Sequence, residues 1–101
     1  MDNARIHTID KRIAQIKEKL NKIGDMRPGS LTIQYKDPEK KTGAYYQVSY
    51  THKMKSRTDY VRPQFAKQVE KQIKSYKEFK LLVEEWVELA LEKSKMLMVT
   101  D

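Results

Sequence analysis

The residues with chemistry to offer are lysines, arginines and tyrosines gathered in the middle of the chain. Between Arg27 and Arg62, eight basic residues stand against three acidic ones, +5 over 36 residues. The same stretch holds Tyr35, Tyr45, Tyr46, Tyr50 and Tyr60, five of the chain's six tyrosines. Lysine and arginine neutralise phosphates, while Ser, Thr and Gln hydrogen-bond to phosphates and to base edges. Lys36, Lys40, Lys41, Lys53, Lys55 and Arg57 are therefore candidate contacts to a polyanion, with Gln47, Ser49 and Thr51 as candidate readers of base edges. Lys67, Lys71 and Lys74 follow as candidate backbone contacts. The expected partner is DNA. RNA is a further candidate, because tyrosine rings stack on unpaired bases.

Other chemistries lack their residues. The chain has no cysteine, which removes thiol nucleophiles, disulfides and cysteine metal sites. His7 and His52 are far apart and have no clustered carboxylates beside them, so no metal site is expected. Gly24, Gly29 and Gly43 are too scattered for a phosphate-binding loop, and no serine sits in a nucleophile motif. Glu84, Glu85 and Glu88 share one helical stretch and read as a solvated face. The expectation is a binding protein with no catalytic residues and no cofactor.

At 101 residues and a net charge of +7, the chain fits one modest domain. No apolar run reaches the ~20 residues a membrane-spanning helix needs, and MDNARIHTID has no signal-like apolar stretch. A cytoplasmic protein with no membrane partner is expected.

The elements that must position these residues are legible from periodicity. Ile6, Ile9, Ile13, Ile16, Leu20 and Ile23 recur at alternating spacings of three and four, which predicts a helix over 3–23 ending before Gly24. So narrow a stripe resembles a coiled-coil seam, filled either within the chain or by a second copy. After Asp25–Gly29 the period changes to two. Leu31, Ile33 and Tyr35 alternate with Ser30, Thr32 and Gln34, and Tyr46, Val48 and Tyr50 alternate with Tyr45, Gln47, Ser49 and Thr51. A third strand runs from about Lys55 to Arg62, completing a three-stranded antiparallel meander over 30–62. A two-residue turn at Lys53-Met54 pairs Tyr50 with Arg57, whereas a three-residue turn pairs it with Thr58 and turns Arg57 to the polar face. The second is expected, since it spares the core an arginine and neither turn residue favours positive φ.

From Gln64 to Met98 there is no glycine or proline, which predicts a long helix over 64–98. At ~1.5 Å per residue it would be roughly 50 Å long, so it either breaks near Lys74–Tyr76 or carries its distal half beyond a compact domain. Val83, Trp86, Val87 and Ala90 on that half are the expected oligomer interface, together with the first-helix stripe. The fold class is α+β in the order α-β-β-β-α, and a homodimer held by its helices is expected.

The stretch from Met26 to Leu89 resembles a family of short, uncharacterised prokaryotic proteins. The likeness rests on Gly29-Ser30-Leu31…Tyr35, Gly43-Ala44-Tyr45-Tyr46, Lys55…Arg57…Tyr60-Val61, Pro63 and Tyr76…Phe79…Leu82. Many members carry clustered cysteines ahead of a G-P-Y-Y core, which implies a metal knuckle there. Here that loop is the cysteine-free KDPEKKT and the proline is Ala44, so the implied metal role is lost. The order of three strands and a helix is also similar to the arm-site DNA-binding domains of tyrosine recombinases, and that likeness implies a sheet entering the major groove.

Overall fold

The computed structural model describes residues 3–99. Helix α1 spans Asn3–Asn21, strands β1, β2 and β3 span Ser30–Asp37, Thr42–His52 and Lys55–Val61, and helix α2 spans Ala66–Leu97. The order is α-β-β-β-α, with a 3-10 turn over Pro63–Phe65 leading into α2. The protein is therefore α+β, as its periodicity predicts. By contact density the chain groups into two compact units, Met1–Ile23 with Glu78–Asp101, and Gly24–Lys77. α2 is unbroken across 66–97, and the division falls inside it.

In the first unit α1 lies antiparallel to the distal half of α2. Ile9 and Ile16 are fully buried and Leu82 nearly so. Ile6, Ile13 and Leu20 are half-buried, as is Ile23 just beyond the helix end. The facing stripe on α2 runs through Phe79, Leu82, Trp86, Leu89, Lys93 and Met96, again at alternating spacings of three and four. Ion pairs flank the seam. Arg12 grips Glu85 through Nε at 2.5 Å and Nη2 at 2.8 Å, and Arg5 grips Glu92 with the same two distances. On the other flank Lys93 reaches Asp10 at 2.5 Å, and the Lys17 ammonium lies 5.2 Å from the Trp86 ring centre. The first-helix stripe is thus filled by the chain's own α2. On α2, Val83 and Trp86 are half-buried, while Val87 and Ala90 are exposed.

In the second unit the three strands form one antiparallel sheet in sequence order. Pro63 opens the helical turn, where its missing N–H costs nothing and its fixed φ is already helical. The proximal half of α2 sets Val69 and Ile73 against Val48, Val61, Leu31 and Tyr46, which makes a small core on one sheet face. Gly29 fits here because it has no side chain. Its φ is +137°, and a Cβ would stand 2.6 Å from Val48 Cγ2.

The β2–β3 register differs from expectation. Tyr50 faces Arg57, so the turn is the two-residue Lys53-Met54. Both residues adopt positive φ, 51° and 66°, although neither is Gly, Asn or Asp. The arginine does not enter the core, because the helix-bearing face is exposed at that end of β3, where Lys55 and Arg57 stand in solvent.

Candidate nucleic-acid interface

The pairing of β1, β2 and β3 decides which side chains share a face. Ser30 faces Ser49, Thr32 faces Gln47 and Gln34 faces Tyr45 across β1–β2. Gln47 faces Tyr60, Ser49 faces Thr58 and Thr51 faces Ser56 across β2–β3. Strand alternation puts all of these on the face opposite the core cluster. It is a surface of hydroxyls and carboxamides, with every member exposed except half-buried Gln47 and Tyr45. Gln34 Nε2 donates to Thr32 Oγ1 at 3.3 Å, which aligns the two along β1. Tyr45 and Tyr60 lie side by side with ring centres 5.8 Å apart and planes tilted by 35°.

The expected site residues divide between the two sides of this sheet. Gln47, Ser49 and Thr51 lie together on the polar face, and Lys36 shares it by strand parity. Lys40 and Lys41 sit in the β1–β2 turn, where the Lys40 N–H donates to Asp37 Oδ1 at 3.2 Å and Lys41 has φ 53°. Lys53 sits in the turn at the other end of β2. Eleven residues of β2 separate the two turns, roughly 35 Å at ~3.3 Å per residue.

Lys55 and Arg57 fall on the opposite face, with Val48 and Tyr50, contrary to the expected placement of Arg57. The tight turn is the cause, since one residue of register reverses every side chain of a strand. Lys67, Lys71 and Lys74 are exposed on α2, which covers that same opposite face. Lys74 also lies 3.9 Å from Glu70. These five do not join the polar face.

Arg27 belongs to the framework. Its Nη2 donates to Asp59 Oδ2 at 3.0 Å, its guanidinium lies 5.0 Å from the Tyr50 ring centre, and its backbone N–H donates to the Gln72 carbonyl at 3.2 Å. Asp59 therefore sits beside Arg57 on the helix side without an uncompensated charge.

Tyr45 shares this face with Gln47 by alternation along β2, whereas Ser56, Thr58 and Tyr60 join it only through the β2–β3 register. With a three-residue turn, Tyr60 would have shared a face with Val48.

The two units divide the charge completely. Gly24–Lys77 holds twelve basic and five acidic residues, +7, whereas the other unit holds nine of each. The whole net charge of the chain thus belongs to the unit that carries the sheet. Among the described residues no three His, Asp or Glu side chains stand close enough to hold a metal ion. No described helix is long and apolar enough to cross a membrane. Comparison with protein-family models, curated proteins and solved structures finds no match.

Proposed function

We propose that the open polar face of the sheet is a nucleic-acid-binding surface and that double-stranded DNA is its ligand. The observation that carries this reading is a face built only of hydrogen-bonding side chains and two tyrosines, with exposed lysines at both ends of β2, in the unit that holds all the net charge. Outer strand axes in a three-stranded sheet lie roughly 10 Å apart, which suits a major groove about 12 Å wide. With the strands along the groove, Gln34, Gln47, Ser49 and Thr51 reach base edges. Lys36, Lys40, Lys41 and Lys53 then neutralise phosphates. Lys55, Arg57, Lys67, Lys71 and Lys74 add to the attracting field from the other side of the sheet.

The test is a titration of duplex DNA, single-stranded DNA and RNA across a salt series. Four phosphate contacts predict that a roughly fourfold rise in salt weakens duplex binding by about 100-fold. Salt-insensitive binding, or none at low salt, sinks the proposal. Preference for single strands would instead make Tyr45 and Tyr60 stacking platforms.

A second reading is a protein-assembly module built on the helices with no nucleic-acid role. It is favoured by the apolar residues that α2 leaves exposed, Val87, Leu91 and Leu97 among them. Sedimentation tests it independently of any nucleic acid.

A further inference from the structure

Beyond Lys77, α2 carries two apolar patterns of the same period. The first faces α1. The second runs through Val83, Val87, Ala90, Ser94 and Leu97, at the same alternation of four and three. α1 leaves this second stripe largely open. Val87 is 51% exposed, Leu97 is 62% exposed, and Leu91 beside them is 55% exposed. A stripe repeating every seven residues stays aligned with another helix, whereas a strand or loop has no such period to match. The outward face of α1 carries His7, Lys11, Glu18 and Asn21 with only Ala4 and Ala14 between them, so no described helix of this chain has a large apolar stripe left to cover it.

We infer that a second copy of this chain covers the stripe, α2 against α2, antiparallel about a two-fold axis at Ala90. Val83 and Leu97 stand equally far from Ala90 in sequence, so this arrangement lays Val83 of each copy against Leu97 of the other. The small Ala90 at the crossing point lets the backbones approach. Charge sets the direction. Glu84 borders the stripe near one end and Lys95 near the other. Glu84 and Lys95 lie on the same flank of α2, and an antiparallel pair lays that flank of one copy along that flank of the other, bringing Glu84 towards Lys95, which a parallel pair does not do.

Sedimentation of the full chain at tens of micromolar tests this without nucleic acid, so its failure leaves the DNA reading standing. The expected result is a dimer. Val87→Glu is expected to give a monomer with its helical circular dichroism intact, because the side chain is exposed within the chain. The absence of cysteine makes orientation testable by single thiols. Val83→Cys and Leu97→Cys, oxidised separately, should give no covalent dimer, and mixed they should cross-link. A monomeric wild type, a Val87→Glu variant that still dimerises, or cross-linking of each cysteine variant with itself overturns the inference. So does a monomer that binds some other protein through this stripe.

Discussion

The Arg12 guanidinium meets the Glu85 carboxylate through two of its nitrogens, at 2.5 and 2.8 Å, across the α1–α2 seam. Arg5 and Glu92 repeat the arrangement one heptad back on α1 and one heptad on along the antiparallel α2. The Arg12 hydrogen bonds hold the Glu85 carboxyl below its ordinary value of 4.5. Partial burial opposes that shift, and the charges of Arg12 and Lys19 reinforce it. Arg5 lowers Glu92 in the same way. A depressed carboxyl stabilises the fold above its unfolded value and loses that contribution as pH falls through its folded value. The helical pair is therefore expected to keep this stabilisation at neutral pH and shed it below about 4.5. Thermal unfolding of wild type and of a Glu85→Gln/Glu92→Gln variant should show the wild type ahead at neutral pH and the two curves converging in acid. Parallel curves would remove the ion pairs from the account.

Gly29 tests the sheet core. The backbone there has φ +137°, and an added Cβ meets a fully buried Val48 at 2.6 Å and the Ser49 carbonyl at 3.0 Å. Neither neighbour is the loose end of a flexible side chain. Gly29→Ala is expected to cost about 2 kcal/mol, combining steric overlap with a backbone region that side chains avoid. Urea denaturation measures it. A loss comparable to that of an ordinary surface substitution would contradict the close approach.

The β2–β3 turn predicts the opposite sign. Met54 sits at φ 66° and is 98% exposed, so its side chain contributes no packing to offset the left-handed backbone. Met54→Gly is expected to stabilise by about 0.5–1 kcal/mol, since glycine adopts that conformation freely and loses part of the gain to its own unfolded-state entropy. A rise in Tm at unchanged salt dependence of DNA binding is the expected outcome, because no charge is altered.

At this same turn the residue types no longer dictate the backbone they adopt. The helices were legible because their apolar residues repeat every three and four positions, and no glycine or proline interrupts α2. The strands were legible by alternation, and Gln47, Ser49 and Thr51 were correctly grouped because they lie on one strand. Grouping residues from different strands needs the register, and that rests on the Lys53-Met54 turn, whose residue types do not favour the conformation they adopt. The pattern therefore places Arg57 on the polar face and gives no sign that Tyr45 and Tyr60 are neighbours, whereas the register sets Arg57 opposite Tyr50 on the helix-bearing face and brings the two rings together. Arg27 was legible only as one more basic residue, because its partners Asp59, Tyr50 and Gln72 come from three separate elements. The α2 stripe facing α1 was hidden by a second apolar pattern of equal period on the same helix.

The register also sets the sharpest test of the DNA reading, because it separates residues close in sequence onto opposite sides of the sheet. Gln47 faces Thr32 and Tyr60 on the polar surface, whereas Arg57 faces Tyr50 on the helix-bearing surface. A lysine on phosphate weakens binding to every sequence alike and lowers the salt slope, while a base-edge contact weakens only the preferred sequence. Lys40→Ala/Lys41→Ala is therefore expected to reduce the slope of log K against log salt by about 2, at about 0.9 per phosphate contact. Gln47→Ala should leave the slope unchanged and cost about 1–3 kcal/mol on the preferred duplex alone. Arg57→Ala removes as much charge as a single lysine substitution but from the other side of the sheet. It should stay nearer to wild type than Lys36→Ala in fluorescence anisotropy titrations. If Arg57→Ala instead proves the more damaging of the two, the binding surface is the helix-bearing side, where Lys55, Lys67, Lys71 and Lys74 also stand.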